Sequence, residues 1–204
     1  MALRLFLLSH AATPAMRAGV FPRAEGGDAL DPRSLDATRA LQARLQPWLT
    51  GLKSARLWCS PALCAQQTAL ALGLNTTPCS QVNDLNYGSW AGQRLDDIAA
   101  QKPDGLALWL RDPAAAPHGG ESFYALGLRL QNWLQELAQH PSDTHVLLTH
   151  ASVMRALIGL CQNAPVQTWR LDIQPLSLQQ LLFSEGQWLW RGAFLPPAEK
   201  QKPA

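Results

Sequence analysis

Two histidines stand at the ends of two similar apolar runs. His10 follows the run Leu3–Leu8 after Ser9, and His150 follows the run Val146–Leu148 after Thr149. Short apolar runs that end in turn residues are typical of buried parallel strands. Open α/β sheets place their chemistry just beyond the carboxyl ends of such strands. A single histidine in such a loop usually bonds only a backbone carbonyl, but two of them at one sheet edge predict a functional site.

Two further segments bring polar groups toward the same edge. The run Arg56–Ser60 predicts a second short strand, and Pro61 after it suits the first turn of a helix that ends near Gly73. The start of that helix faces the sheet edge and favours an anion there. Asp84 then opens a compact segment punctuated by glycine. The sequence therefore predicts imidazole, hydroxyl and carboxylate groups around one pocket.

The remaining periodicity supplies the elements that must position this pocket. Apolar residues at helical spacing predict an amphipathic helix over 34–49 with Ser34 as its N-cap, and a long helix that opens at Glu121-Ser122. Two alternating runs around Ser184-Glu185-Gly186 predict a C-terminal hairpin. Weaker patterns predict a strand over 79–82, a surface loop over 17–32, and short helices over 95–100 and 153–160. Residues 102–120 contain many turn-forming residues and predict a lid in which His118 is solvated.

Alternation of short strands with helices predicts an α/β fold. We expect one three-layer domain over residues 1–195, with a mostly parallel sheet and helices on both faces. A small cap is expected over about 90–125, and residues 196–204 are expected to form a polar tail.

Composition excludes several classes of function. The chain has 204 residues, 47% of them apolar, and a formal net charge of +2 with scattered charges. A core of normal size is therefore expected, and neither nucleic acid nor an anionic membrane is indicated as a partner. The eight tryptophans lie apart and do not alternate with basic clusters. Nothing in the sequence indicates an oligomeric state.

The four cysteines show no CxxC spacing, so neither a zinc ribbon nor a thioredoxin-like motif is indicated. Scattered thiols are typical of a reducing cytoplasm, which is the predicted location. The N-terminal apolar run of about six residues is short for the core of a signal peptide and leads directly into the His10 loop, so it predicts a strand.

The motifs of this chain, taken in sequence order, resemble those of the histidine phosphatase superfamily, whose fold is phosphoglycerate mutase-like. The order is a strand-end histidine, Ser-Pro before a helix with Gln-Thr-Ala, an acid before Tyr-Gly-x-Trp-x-Gly, Gly-Gly-Glu-Ser, and a second strand-end histidine. The resemblance extends from Leu3 to about Leu160. Its size and Gly-Gly-Glu-Ser segment are most similar to those of small bacterial phosphatases, such as α-ribazole phosphatases and broad-specificity phosphomonoesterases.

The resemblance implies a mechanism without metal or organic cofactor. His10 falls on the nucleophile that forms a phosphohistidine, His150 on the second histidine, and Asp84 on the proton donor, where the family usually has glutamate. The partner implied is a small phosphorylated metabolite. The substrate-binding positions predicted from the resemblance and the loop are Ser9, Ser60, Cys64, Arg17 and Ala151.

The sequence departs from the family at both phosphate-binding arginines. The family motif Arg-His-Gly-Glu stands here as Ser9-His10-Ala11-Ala12, and Ser-Pro-Leu-x-Arg-Ala stands as Ser60-Pro61-Ala62-Leu63-Cys64-Ala65. Arginine supplies a bidentate fork that stabilises phosphoryl transfer. Ser9 and Cys64 provide no such fork. Arg17 and Arg23 lie in the following loop and are the candidate replacements, whereas Arg155 is expected to pair structurally.

Three hypotheses follow from this pattern. The first is a working phosphomonoesterase with a rebuilt phosphate cradle. The second is a pseudoenzyme that keeps the fold as a binding module. The third is a metal site of His10, His150, Cys64 and Asp84, whose donor types zinc accepts. Against the third, Cys64 could simply pack as a small apolar side chain.

Overall fold

A six-stranded sheet forms the centre of the structure, a computed structural model that describes residues 2–23, 28–52, 54–139, 143–164 and 170–194. The strand order is β3-β2-β4-β1-β5-β6. The four strands from β3 to β1 pair in parallel, and β5 and β6 add antiparallel at one edge. The predicted mostly parallel sheet is confirmed. Its strands are β1 (Leu3–Ser9), β2 (Arg56–Cys59), β3 (Thr77–Pro78), β4 (Thr144–Thr149), β5 (Leu178–Ser184) and β6 (Gln187–Ala193).

Helices cover both faces of this sheet, as predicted. Leu5 and Leu7 of β1 belong to a core cluster shared with the sixth and seventh helices. Phe6 and Leu8 point the other way, into a cluster shared with the second and third helices. This alternation is the period of two of a strand buried on both faces. The helices are α1 (Pro14–Arg17), α2 (Pro32–Thr50), α3 (Leu63–Ala71), α4 (Leu95–Gln101), α5 (Pro103–Arg111), α6 (Phe123–Ala138) and α7 (Ala151–Gln162).

The pairing of β1 with β4 sets the positions of the two histidines. Leu8 lies opposite Leu148, and Ser9 lies opposite Thr149. The next residue on each strand is a histidine, and the His10 amide donates to the Thr149 carbonyl at 2.9 Å. The two imidazoles therefore leave the same sheet edge side by side.

The predicted N-cap of α2 was wrong. Asp31 is the N-cap and accepts a hydrogen bond from the Ser34 amide at 2.9 Å, while Pro32 occupies the first turn. An Asp-Pro pair is a good start to a helix, since proline needs no donor partner there. The Ser34 hydroxyl donates instead to the Ala12 carbonyl, which ties α2 to the loop after β1.

Two other predictions need correction. The strand expected over 79–82 is a 3-10 turn at 80–82, and the strand itself is the shorter β3 before it. The turn-rich lid contains the helix α5, which begins at Pro103. Proline at the start of a helix is stabilising rather than disruptive, so the proline content of this segment did not exclude a helix.

His118 was predicted to be solvated, but it is only 2% exposed. Its ring packs edge-on against Trp90 with centroids 5.0 Å apart, and Phe21, Tyr87 and Trp109 complete the aromatic cluster. Trp90 also belongs to the main core cluster on that face of the sheet. Aromatic packing therefore joins the segment around residues 90–118 to the core.

The C-terminal hairpin is confirmed. β5 and β6 are joined through Glu185 and Gly186, both of which have a positive φ. Two such residues match the tight hairpin turn that follows the twist of the strands. The predicted polar tail over 196–204 lies outside the described residues. Within the described ranges, no helix combines the length and apolar character that crossing a membrane requires.

Backbone contacts at two glycines hold the segment after Asp84 in place. A Cβ on Gly120 would lie 2.0 Å from the Asn86 carbonyl oxygen, and one on Gly88 would lie 2.2 Å from the His118 carbonyl oxygen. Next to this contact, the Glu121 amide donates to the Asn86 carbonyl at 2.8 Å. Glycine is needed at positions 88 and 120 because two stretches of backbone touch here.

We expect Gly120→Ala to lower the free energy of unfolding by about 2 kcal/mol or more, because the new methyl group must push backbone apart. Gly127→Ala is the matched control. That glycine lies inside α6, and a methyl group added there would meet no described atom within 4 Å beyond its own helix backbone, so the variant should gain about 0.5–1 kcal/mol from helix propensity. Urea unfolding of the two variants and the parent measures both effects. Similar stabilities for the two variants would contradict this account of the Gly120 contact.

Candidate active site

A cavity of about 1050 Å³ opens at the carboxyl edge of β1, β2 and β4. The predicted residues His10, Cys64, Asp84, His150 and Ala151 all line it. The topology brings them together because each follows the end of a strand or a short turn beside one. The predicted meeting of the two histidines at one sheet edge is therefore observed.

His10 is fixed by the backbone on one side of its ring. It is 7% exposed, and its Nδ1 lies 2.8 Å from the Ala11 carbonyl oxygen. Since a carbonyl only accepts, Nδ1 carries the proton, and Nε2 of the neutral ring keeps its lone pair. Burial lowers the pKa of His10, and the Ala11 carbonyl and the Asp84 charge oppose that effect. The ring is therefore neutral near pH 7, with a free nucleophilic nitrogen.

His150 stands edge-on to His10, with ring centroids 5.0 Å apart. Its Nε2 lies 2.8 Å from the Ser60 hydroxyl, and its Nδ1 lies 3.5 Å from Oδ2 of Asp84. Burial lowers the pKa of His150 to about 4; Asp84 opposes this, while His10 and Arg129 add to it. A neutral ring held from two sides can position an oxygen or a metal beside His10.

Asp84 is held by the start of α7 and by its own loop. Its Oδ1 accepts hydrogen bonds from the Leu85 amide at 2.8 Å and from the Ser152 hydroxyl. Ser152 was not predicted from the sequence. Its position in the first turn after His150, where hydroxyls often bond neighbouring groups, was the available signal.

Arg129 was also missed, although it braces the segment that carries Asp84. Its guanidinium pairs with Glu121 at 2.7 Å and donates to the carbonyls of Gln81 and Asn83 at 2.6 and 3.2 Å. Glu121 precedes α6, and Arg129 lies about two turns into that helix. Because Glu121 lies outside α6, helical spacing does not link it to Arg129, and no local sequence signal indicated the pair. The neighbouring Ser122 caps α6.

Ser9 and Arg17 do not line the cavity. The Ser9 hydroxyl donates to the Gln174 carbonyl at 2.7 Å and accepts from the Ser177 amide at 2.9 Å. The guanidinium of Arg17 pairs with Asp31 and bonds the Ser34 hydroxyl at 3.0 Å. The expectation that these two side chains reach into the site therefore disagrees with their observed contacts.

Ser60 reaches the site through His150 rather than from the cavity wall. Its hydroxyl bonds His150 as described and accepts from the Ala62 amide at 3.3 Å, so it also assists the start of α3. The described cations that do line the cavity are Arg23, Arg129 and Arg155. Arg155 donates from Nε to the Leu171 carbonyl at 2.6 Å, a structural contact of the kind predicted for it.

Cys64 lies in the first turn of α3 and is 5% exposed. Burial, and then the Asp84 charge, raise the pKa of its thiol to about 12. Thr68, one turn later, accepts from the Ala11 amide at 3.1 Å and donates to the Cys64 carbonyl at 2.7 Å. The Thr of the Gln-Thr motif therefore fastens α3 to the His10 loop and sets the distance between the thiol and the imidazole.

Among the described residues, His10, Cys64 and His150 form a buried group of possible metal ligands. One donor atom from each lies within 4.8 Å of the others. Imidazole nitrogen and thiolate sulfur are ligands that Zn²⁺ prefers.

The chain belongs to the histidine phosphatase superfamily (branch 1), whose sequence pattern it matches over residues 5–194. The resemblance inferred from the motifs is confirmed.

The names of two curated relatives describe phosphatases that act on small molecules. A glucosyl-3-phosphoglycerate phosphatase of Mycobacterium tuberculosis is 30% identical over 118 residues, covering 52% of this chain and 53% of the relative. Phosphoserine phosphatase 1 of Hydrogenobacter thermophilus is 26% identical over 97 residues, covering 47% and 46%. The chain thus spans about half the length of the curated relatives it matches.

Solved structures show the same fold over almost the whole chain. A structure described as a putative alpha-ribazole-5'-P phosphatase from Escherichia coli superposes with a TM-score of 0.83 at 20% identity, covering 97% of this chain and 98% of the other. A mycobacterial glucosyl-3-phosphoglycerate phosphatase superposes with a TM-score of 0.80 at 22% identity, covering 93% and 98%. The phosphoglycerate mutase-like fold predicted from the motifs is confirmed.

The buried His150 predicts a pH-dependent stability. Its pKa is about 4 in the folded protein and near 6.5 once unfolded, so the unfolded chain binds the proton first as pH falls. The free energy of unfolding should therefore decrease below about pH 6.5 and stop decreasing from this source near pH 4. We expect protonation linked to this ring to lower the free energy of unfolding by about 2 kcal/mol between pH 7 and pH 5.

Urea unfolding across this pH range, with EDTA present, measures that slope. His150→Gln removes the titrating ring but keeps a side chain able to hydrogen bond. Its stability should depend less steeply on pH than that of the parent. Equal slopes in the two proteins would show that His150 is not the source.

Proposed function

We propose that this protein is a phosphomonoesterase that acts on a small phosphorylated metabolite through a phosphohistidine at His10. The observation that carries the proposal is the bond from Nδ1 of His10 to the Ala11 carbonyl. That bond leaves Nε2 as an unprotonated nucleophile beside a second neutral imidazole. Family membership supports the same reaction.

In this reaction, Nε2 of His10 attacks phosphorus and the bond from phosphorus to the leaving alcohol oxygen breaks. Asp84 in its acid form gives its proton to that oxygen. Water then attacks the phosphohistidine and gives a proton to the Asp84 carboxylate, the P–N bond breaks to leave neutral His10, and phosphate leaves. We assign His150, which Ser60 holds in place, and the backbone amide of Ala151 at the start of α7 to binding of the phosphate oxygens. The amide is suited to this role because helix N-termini favour anions.

The proposed enzyme is slow, because the phosphate charge lacks the family's arginines. Ser9 is turned to other partners, and the Cys64 thiol is uncharged at neutral pH. Loss of one well-placed donor in comparable anion sites costs about 10²–10³ in rate. Arg23 and Arg155 line the cavity and are the replacements that we propose. Nε of Arg155 is engaged by the Leu171 carbonyl, and Arg129 is engaged by Glu121.

A second candidate is a catalytically impaired pseudophosphatase that serves as a binding module. The same two observations favour it: the Ser9 hydroxyl contacts the Gln174 carbonyl, and the Cys64 side chain is neutral. Such a protein would bind a phosphorylated ligand at the same edge of the sheet and release it unchanged.

Hydrolysis of p-nitrophenyl phosphate separates the two candidates. With EDTA present, we expect measurable turnover by the parent and a fall of roughly three orders of magnitude, or to background, in His10→Ala. His145→Gln is the control, since that buried histidine lies at the opposite end of β4. It should keep turnover. Activity in His10→Ala would refute the phosphohistidine route, and no turnover by the folded parent would favour the binding module.

The role of Asp84 predicts a dependence on the leaving group. Asp84→Asn removes the proton donor, so hydrolysis of an alkyl phosphate should fall by about 10²–10⁴. Hydrolysis of p-nitrophenyl phosphate should fall much less, because nitrophenolate leaves without a proton. Steady-state kinetics with both substrates measure the difference. Equal losses of hydrolysis rate for the two substrates would mean that Asp84 has a structural role and does not transfer the proton.

The relatives suggest the first substrates to compare. Glucosyl-3-phosphoglycerate and phosphoserine, named in two of them, both carry a carboxylate near the phosphate. We propose that Arg23 or Arg155 accepts such a second anionic group, since both line the cavity. Discrimination between phosphoserine and a simple alkyl phosphate tests this preference.

A further inference from the structure

We propose that the cavity binds one divalent transition metal ion of the Zn²⁺ type through His10, Cys64 and His150. The three side chains are buried, and one donor atom from each lies within 4.8 Å of the others. They come from three separate elements: the ends of β1 and β4, and the first turn of α3. Two imidazoles and a thiolate form a borderline-soft donor set that favours zinc over magnesium or calcium.

The donor spacing is close to that of a bound ion. Tetrahedral zinc with Zn–N near 2.0–2.1 Å and Zn–S near 2.3 Å separates its ligand atoms by roughly 3.3–3.8 Å. Closing from the observed limit of 4.8 Å needs a shift of about 1 Å, which rotation of the Cys64 and imidazole side chains can supply.

The groups behind the histidines suit metal binding as well. The Ala11 carbonyl holds Nδ1–H of His10 and presents Nε2 to the ion, which is how proteins usually orient a ligating histidine. His150 has Ser60 beside Nε2 and Asp84 beside Nδ1. Whichever ring nitrogen of His150 binds the ion, the other nitrogen therefore keeps a polar partner.

Charge and access are also compatible with an ion. When the Zn–S bond forms, the Cys64 thiol gives its proton to solvent, and the resulting thiolate together with Asp84 offsets the charge of the ion. Three protein ligands facing a cavity of about 1050 Å³ leave a fourth position for water or a ligand. An open fourth position is typical of exchangeable or catalytic zinc rather than of closed structural sites.

Metal binding has a consequence that rests on the proposed function. Nε2 of His10 cannot hold a metal and a phosphoryl group together. The ion therefore excludes the phosphoenzyme, and micromolar zinc inhibits whatever turnover the metal-free protein shows. Binding of the ion itself does not depend on that turnover.

The test uses full-length protein without a polyhistidine tag, stripped with EDTA and dialysed. Isothermal titration with Zn²⁺ is expected to show one equivalent bound. Titration with Co²⁺ is expected to give the visible bands of a tetrahedral site and a near-ultraviolet thiolate-to-cobalt band. Zinc should also raise the midpoint of thermal unfolding.

Cys64→Ala should remove the thiolate band and weaken zinc binding by at least about 100-fold, since loss of an outer-shell partner alone costs roughly 10–100-fold. Cys161→Ala is the matched control, because that half-buried thiol lies near the end of α7 and does not line the described cavity. It should bind both metals as the parent does. Cys64→Ser replaces Cys64→Ala if the latter fails to fold.

Absence of stoichiometric binding by the parent, or a thiolate band that persists in the Cys64 variant, would overturn the metal site. These readouts are separate from phosphatase activity. Zinc binding, together with no turnover by the metal-free protein, would support the metal-site proposal and refute the phosphatase proposal. Turnover by a protein that does not bind zinc would support the phosphatase proposal and refute the metal-site proposal.

Discussion

The parallel, in-register pairing of β1 with β4 is the constraint on which the site depends. Leu7 faces Leu147 and Leu8 faces Leu148, so the strands end level and place one histidine each at the same edge. A shift of one residue would turn every side chain of a strand to the other face of the sheet. Burial of β1 on both faces makes that shift very costly, so core packing and the distance between the imidazoles are determined by the same contacts.

Around that pair, burial is strong, and the described arginines that line the cavity are Arg23, Arg129 and Arg155. Both histidines have lowered pKa values, chiefly from burial, and both are neutral near pH 7. The resemblance of the motifs implies that phosphate-binding arginines of the family are replaced beside these histidines. Here Cys64 brings a thiol into the same space, and Arg17 is engaged by Asp31 outside it. Imidazole nitrogen and thiolate sulfur are good ligands for a borderline-soft cation, and the unprotonated Nε2 of His10 is also the proposed nucleophile. One pocket therefore carries both the metal proposal and the phosphatase proposal.

The supporting shell limits how these residues can move. Thr68 fastens α3 to the His10 loop, Arg129 braces the Asp84 segment against α6, and the contact between Gly88 and Gly120 brings two backbone stretches together. Each connects the site to an element that is itself packed in the core. A site held this way is pre-organised, so its donors change their environment little on binding a ligand.

Local sequence patterns determined most of the elements of this protein, and the order of the motifs determined its family. Apolar runs predicted the strands that carry His10 and His150, and a glycine turn predicted the hairpin, because these signals depend on neighbours along the chain. Only the tertiary structure decided where Ser9, Arg17 and His118 point: two are engaged by distant polar partners and one is buried under aromatic rings. It also decided that Cys64 lies beside both imidazoles. Such contacts join residues far apart in sequence, and their geometry depends on how whole helices pack on the sheet, which local patterns do not encode.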